Sequence, residues 1–470
     1  KYFMQYLNKL FSFFFLCNCY CDLVETSMWE IPELADIQTT LRDPSSPIGM
    51  RMRAAYYAKQ LFVDLQKEEE EGRGEGKIDD FNTSINERVV SRRSQKMEDI
   101  ITVLCEQVFV KEHGSLLRHE FAYVLGQMKT ERVCTTLENL LVREDDCLMV
   151  RHEAAEALGA IASLKSKSVL ETTRIKNDGI LDELSDTCLL ALNRLEHVTS
   201  DENDNNNTKS VVVGCACMLA PYNSIDPVEV DPAHSSLSTV QLGDILLNNT
   251  CNDTNKGNSN NNNMNSVNER RGDLIERYRA MFSLRNRGGT ESVLQLCRAL
   301  VEDTSSPLLR HEVAFVLGQL QHPSSIPALI ESLSRLDEHA MVRHESAEAL
   351  GAIDGSSEDW QQIESILTEY QNDFDPAVAG SCIVALDAAD YWGHDDGTSY
   401  GNSSVENSTE VAPTNTAPTN TVSNDNPHAE SSQTKNVGGL FGKQKHASTV
   451  ATCDIRKQIL AQHFNVVQTV

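Results

Sequence analysis

Apolar positions recur along this chain at helical spacing, and the helical pattern itself recurs at a longer period. In the run Met149-Val150-Arg151-His152-Glu153-Ala154-Ala155-Glu156-Ala157-Leu158-Gly159-Ala160-Ile161, residues Ala155, Leu158 and Ile161 line one helix face, and Gly159 leaves room for a close neighbour. The run returns 192 residues later as Met341 to Ile353 with one change, Ala154 to Ser346. A looser version, Leu117 to Gln127, lies 33 residues upstream of the first copy, and Leu309 to Gln319 lies 33 residues upstream of the second. Apolar stretches before these runs supply partner helices: Val133, Leu137, Leu140 and Leu141 in one half, Ile326, Leu329, Ile330 and Leu333 in the other. A period near 33 marks stacked helical hairpins, each burying its apolar face only against its neighbours. The pattern therefore predicts an all-α solenoid.

The hairpins fall into two pseudo-symmetric halves of about four each. Arg51 to Ala58 and Arg277 to Leu284 open the halves, and Thr187 to Leu192 and Ser381 to Leu386 close them. The opening units lack the His-Glu of the middle repeats and read as caps. The first half is expected to span 28–197, with a solvated, flexible insertion at about 67–96 rich in Glu, Arg, Ser and Gly. A low-complexity connector covers 198–269, the second half 270–391, and a mostly disordered tail 392–470, within which Ile455 to Val467 has an amphipathic pattern. Residues 1–27 open on Lys1 and carry the apolar run Phe11 to Cys17, too short to span a membrane. They read as an artefact or a targeting segment.

A formal charge of −28 argues against a nucleic-acid partner and suits a cationic one. Thirteen cysteines without metal-ligand spacing fit buried thiols in a reducing cytoplasm. The candidate chemistry lies in four His-Glu pairs: His119-Glu120, His152-Glu153, His311-Glu312 and His344-Glu345. Imidazole and carboxylate are ligands for iron, manganese and zinc, and stacking places His119 beside His152 and His311 beside His344. If the halves face each other, the four pairs make a dinuclear site. Neighbouring residues on a helix point about 100° apart, so some of the glutamates bind metal while others support it or face substrate. Glu156 and Glu348 read as solvated or supporting groups. Arg118, Arg151, Arg310 and Arg343, which precede every pair, read as ion-pair partners in helix stacking.

These motifs, with Arg277-Tyr278-Arg279-Ala280-Met281-Phe282, resemble those of deoxyhypusine hydroxylase, over about 33–65, 97–197 and 270–391. The resemblance implies a HEAT-like α-solenoid and a di-iron monooxygenase. Its substrate is the deoxyhypusine side chain of translation initiation factor five A, which it converts to hypusine with dioxygen. It implies Fe(2+), two per chain, held by His119, Glu120, His152, Glu153, His311, Glu312, His344 and Glu345. It favours Glu153 and Glu345 as direct ligands and places Glu120 and Glu312 nearer the substrate or a bridging oxygen. No Rossmann glycine fingerprint is present, so an external reductant is expected. A metal-free HEAT-repeat scaffold and a bilin lyase-like repeat protein are the rival readings, and the fourfold His-Glu register speaks against both.

Overall fold

The run from Leu148 to Ile161 is a helix in the computed structural model, and it belongs to an array of hairpins. The structure describes residues 31–74, 80–203, 225–248 and 265–393. Among these there are sixteen α-helices and no strand. In the first half they are α1 (Leu34–Arg42), α2 (Ile48–Gly74), α3 (Asp80–Gln107), α4 (Gly114–Gln127), α5 (Cys134–Leu141), α6 (Leu148–Ile161), α7 (Lys167–Asn177) and α8 (Asp182–Asn203). In the second they are α9 (Thr239–Leu246), α10 (Asn265–Arg287), α11 (Gly289–Glu302), α12 (Pro307–Leu320), α13 (Ile326–Ser334), α14 (Ala340–Ala352), α15 (Ser357–Tyr370) and α16 (Pro376–Gly393). No helix among the described residues is long and apolar enough to cross a membrane.

The even-numbered helices form the inner layer, α2 on α4, α4 on α6 and α6 on α8, with α10 on α12, α12 on α14 and α14 on α16. Each half has its own apolar core, and each core borrows from the other half. Ala377 and Val384 of α16 join the first core, and Leu190 of α8 joins the second. The ends accordingly meet: α16 packs on α2 and α4, while α8 packs on α10 and α12. This corrects the expectation that the opening repeats are caps. Their inner faces are joints, because a closed ring leaves no terminal repeat to shield.

Two further expectations change. The stretch 67–96 was expected to be a loop, but α2 runs to Gly74 and α3 starts at Asp80. Glu, Arg and Gln are strong helix formers without an apolar stripe, and Arg93 pairs with Glu68 across the two helices at 2.9 Å. Within the expected connector, residues 225–248 are ordered. Ser238 and Gln241 make a capping box that starts α9, and Val228, Leu242 and Leu246 are buried in the second core. Thus α9 is the outer helix of the fifth hairpin, and each half has four. Residues 1–30 and 394–470, including Ile455 to Val467, lie outside the described residues.

Three of the four arginines before the His-Glu pairs tie successive hairpins together, and Arg277 does the same in an opening repeat; Arg151, expected to make an ion pair, instead donates through Nε to the Leu141 carbonyl of its own hairpin at 2.9 Å. Arg118 Nε donates to the Val108 carbonyl at 2.7 Å, and its Nη atoms grip Asp146 in the next hairpin at 2.7 and 2.5 Å. Arg343 repeats this on the Leu333 carbonyl and Asp373, Arg277 on the Leu246 carbonyl and Asp303, and Arg310 grips Glu338. The glycines act on the opposite side. A Cβ added at Gly159 would lie 2.8 Å from Ala191 Cα, and one at Gly126 2.8 Å from Ala157 Cα. Backbone cannot retreat as a flexible side chain can. Gly159→Ala is expected to destabilise the fold by about 1–3 kcal/mol through overpacking. Unchanged denaturant midpoints would show that this contact does not set the helix spacing.

Candidate metal centre

Each His-Glu pair sits in the middle of an inner helix, α4, α6, α12 or α14, on the face turned toward the ring's interior. Burial there is nearly complete: His152 and His344 are 0% exposed, His119 4% and His311 5%. The predicted neighbours meet, with ring centroids 5.6 Å apart for His119–His152 and 5.4 Å for His311–His344. Closure of the ring adds what stacking alone does not. His119–His344 and His152–His311 are 5.4 and 5.3 Å apart, so contacts between halves are as short as those within them.

Glu153 reaches His119 Nε2 at 3.1 Å and His152 Nε2 at 3.9 Å, while Glu345 lies 3.5 Å from His311 Nε2. Glu120 accepts from Tyr56 Oη at 2.7 Å and lies 3.0 Å from His119 Nδ1. Within this cluster three sets of donor atoms are close enough to share an ion: His119, His152 and His311; His311, His344 and Glu345; His152, Glu153 and Glu156. Glu312 is buried in the same interior, and no His contact fixes it.

The donor chemistry fits a metal. Nε2 of His152, and both ring nitrogens of His311 and His344, are buried without a hydrogen-bond partner. Leaving a buried polar group unpaired costs about 1–3 kcal/mol, and here five atoms of one cluster are left so. Burial first, and then the neighbouring rings, hold His152 and His344 well below the usual imidazole range. Both are thus neutral rings with lone pairs to offer. For His152 the outer partner is visible. The Thr187 hydroxyl donates to the Glu183 carbonyl at 2.7 Å, so it accepts from Nδ1–H of His152 at 3.4 Å. That tautomer leaves Nε2 as the ligand atom. Burial opposes a charge on His119, but the charge of Glu153 and hydrogen bonds to Glu120 and Glu153 outweigh it, and its protonation is strongly favoured.

A recess that communicates with solvent borders this cluster. Its lining includes Glu120, Glu153, Glu156, Glu312, Glu345 and Glu348, with Tyr56, Tyr123 and Phe315. Glu156 and Glu348 are therefore not solvated surface groups. Burial and Glu153 push Glu156 up to about 8, and burial and Glu120 hold Glu348 well above the usual carboxylate range. Ser381 donates to Glu348 at 2.8 Å. Crowded carboxylates of this kind are built to receive positive charge. The sequence reading missed Tyr56, Thr187 and Ser381, whose only signal was their place one inner helix away from a His-Glu pair.

Comparison with known proteins agrees with this geometry. A family model of HEAT repeats matches residues 293–387. Deoxyhypusine hydroxylase of Danio rerio is 40% identical over 291 residues, covering 61% of this chain and 79% of its own. That of Mycosarcoma maydis is 36% identical over 351 residues, covering 68% and 90%. A solved structure of human deoxyhypusine hydroxylase in complex with glycerol matches at a TM-score of 0.55 and 31% identity, covering 76% of this chain and 96% of that one. Alignment with nearly four-fifths of a relative at 40% identity, on a ring that brings all four His-Glu pairs together, shows that the chain belongs to the deoxyhypusine hydroxylase family of enzymes.

Proposed function

We propose that this enzyme is a di-iron monooxygenase that hydroxylates the deoxyhypusine side chain of translation initiation factor five A to hypusine, consuming dioxygen and electrons from an external reductant. The observation that carries the reading is the cluster of four buried imidazoles, three of them with unpartnered nitrogens, beside an acidic recess. A metal-free scaffold gives no reason to bury them. Two ferrous ions would supply the electrons by which dioxygen attacks an unactivated C–H bond. His119, His152, His311 and His344 hold them, with Glu153 and Glu345 as carboxylate ligands.

The remaining work belongs to the protein. Thr187 fixes the ring of His152, and Tyr56 fixes the carboxylate of Glu120. Glu120 and Glu312 face the recess and hold the cationic side chain so that one carbon is presented to the oxidant. Exclusion of bulk water from the buried cluster strengthens each of these charge contacts. The chain's net charge of −28 draws in a basic substrate loop from a distance, and we place the reaction in the cytoplasm, where thiols stay reduced. The test incubates iron-loaded protein, a reductant and dioxygen with the deoxyhypusine-bearing factor. A mass gain of one oxygen on that lysine is expected. Its absence with both irons bound and reduced would overturn the reading.

A further inference from the structure

The ring closes at two joints, and they are built differently. Where α16 meets α2 and α4 the helices pack directly: a Cβ added at Gly380 of α16 would lie 3.0 Å from Leu116 and 3.1 Å from Ile48. Where α8 meets α10 and α12, a piece of the connector is set between them. Ile225 and Pro227 line a recess there together with Leu190 and Arg194 of α8, Tyr278 of α10 and Leu308 of α12. Val228 completes the insertion, 2% exposed in the second core, which also takes in Leu190.

Asp226, between Ile225 and Pro227, takes hold of both halves. Its backbone carbonyl accepts from Nη1 of Arg194 in α8 at 2.7 Å. Its carboxylate, buried, accepts from both Nη atoms of Arg285 in α10 at 2.7 and 2.5 Å. Arg285 also donates from Nη1 to Gln319 Oε1 in α12 at 3.1 Å. A bidentate guanidinium–carboxylate pair fixes orientation as well as distance. The proline that follows Asp226 restricts its backbone, which keeps carbonyl and carboxylate in a set relation.

Both arms lead on to the metal centre. Helix α8 carries Thr187 about two turns before Arg194, and the Thr187 hydroxyl meets His152 Nδ1 at 3.4 Å. Helix α12 carries His311 about two turns before Gln319. His152 and His311 come from opposite halves, and their rings stand 5.3 Å apart. We propose that Asp226 is a positioning residue for the metal centre: it locks the halves together through one arginine from each and so sets the approach of His152 to His311. The inference rests on the function proposed above. Ions held from opposite halves act as a pair only while the halves keep their register, and a misplacement of about 1 Å costs a reaction about 100-fold. This part of the connector is thus a component of the centre's frame as well as a tether.

The test loads wild type, Asp226→Asn and Arg194→Met with ferrous iron without air and then oxidises them. Ferric ions held as a close pair couple magnetically, whereas isolated ones give the EPR signal of high-spin ferric iron. The wild type is expected to hold two irons and to show little of that signal. Asp226→Asn keeps the size of the side chain and the carbonyl for Arg194 but loses the charge that holds Arg285. Arg194→Met removes only the arm to the first half and leaves the buried Asp226–Arg285 pair whole, so it decides the matter should Asp226→Asn fail to fold. In both, the signal of isolated ferric iron should rise several-fold for the same bound iron. Turnover should fall by about 10-fold, the lower end of what losing a group that supports a metal ligand costs. Ser235→Ala, at an exposed position of the same segment, should match the wild type. A lock that serves stability alone would lower the melting temperature and leave the irons of the folded protein paired. That outcome in Arg194→Met, with a paired wild type, overturns the inference and leaves the proposed function standing. A wild type that holds no paired iron overturns both.

Discussion

His152→Ala is expected to lower the iron content from two toward one and to cut turnover by more than about 100-fold, since loss of a group merely supporting a metal ligand already costs about 10–100-fold. His152 is 0% exposed and belongs to two of the cluster's three sets of donor atoms close enough to share an ion. A second readout separates a ligand from a packing residue. Binding of a metal to the native state alone raises stability by about 2.7 kcal/mol at a hundredfold excess over the dissociation constant. Ferrous iron added anaerobically should thus raise the melting temperature of the wild type well above that of the metal-free protein. In His152→Ala most of that rise should vanish. The metal-free variant itself should melt close to the metal-free wild type. Removing the ring opens a cavity, but it also removes a buried nitrogen that lacked a partner. Full iron content with a full thermal shift in the variant would remove His152 from the ligand set.

That His152 stood out in the sequence at all is a consequence of repetition. Periods of 33 and 192 residues align four His-Glu pairs and their arginines, and repeat stacking converts sequence register into spatial neighbourhood. Local pattern was enough for the hairpins, for a close neighbour at Gly159 and for three of the four stacking arginines. The approach of His119 to His344 was legible only conditionally, on the halves facing each other. Which inner helices meet at α8–α10 and α16–α2 depends on the summed rotation of the repeats, a quantity spread over every interface.

The misreadings have local physical causes. Helix α9 has eight residues and lies near an Asn-rich run, so two turns of amphipathic spacing were lost in a polar segment. The 67–96 stretch is helical without being apolar, and a hydrophobic period cannot report such a helix. Glu156 and Glu348 looked solvated because glutamate is ordinarily an exposed residue. Their burial is dictated by the opposite half, which their own helices do not encode. Tyr56 and Phe282 occupy matching places in the opening repeats, yet their difference gains meaning only beside Glu120 and Glu312.

Arg343→Ala carries the largest expected loss of stability. The guanidinium is 1% exposed; it donates through Nε to the Leu333 carbonyl at 2.9 Å and through both Nη atoms to Asp373 at 3.1 and 2.5 Å. It also lies over the rings of Tyr370 and Phe374, 5.7 and 5.4 Å from their centroids. A buried pair of this kind adds little over a well-packed apolar pair, because both charges leave water to form it. Deleting one partner is another matter, since Asp373 remains 2% exposed with its charge uncompensated. The expected cost is about 3–5 kcal/mol, a large part of an ordinary fold's stability. The double variant Arg343→Ala with Asp373→Ala should recover part of the loss, because the stranded carboxylate is then gone. His344 follows Arg343 directly in α14, and the clamp holds α14 to the turn that leads into α16, which closes the ring on α2 and α4. Iron release on warming should therefore begin at a lower temperature in the single variant than in the wild type, and before global unfolding. A denaturation midpoint within about 1 kcal/mol of wild type would place this pair with exposed ion pairs. It would also leave ring closure to other contacts of α16, such as those of Ala377 and Val384 and the Arg53–Asp387 pair.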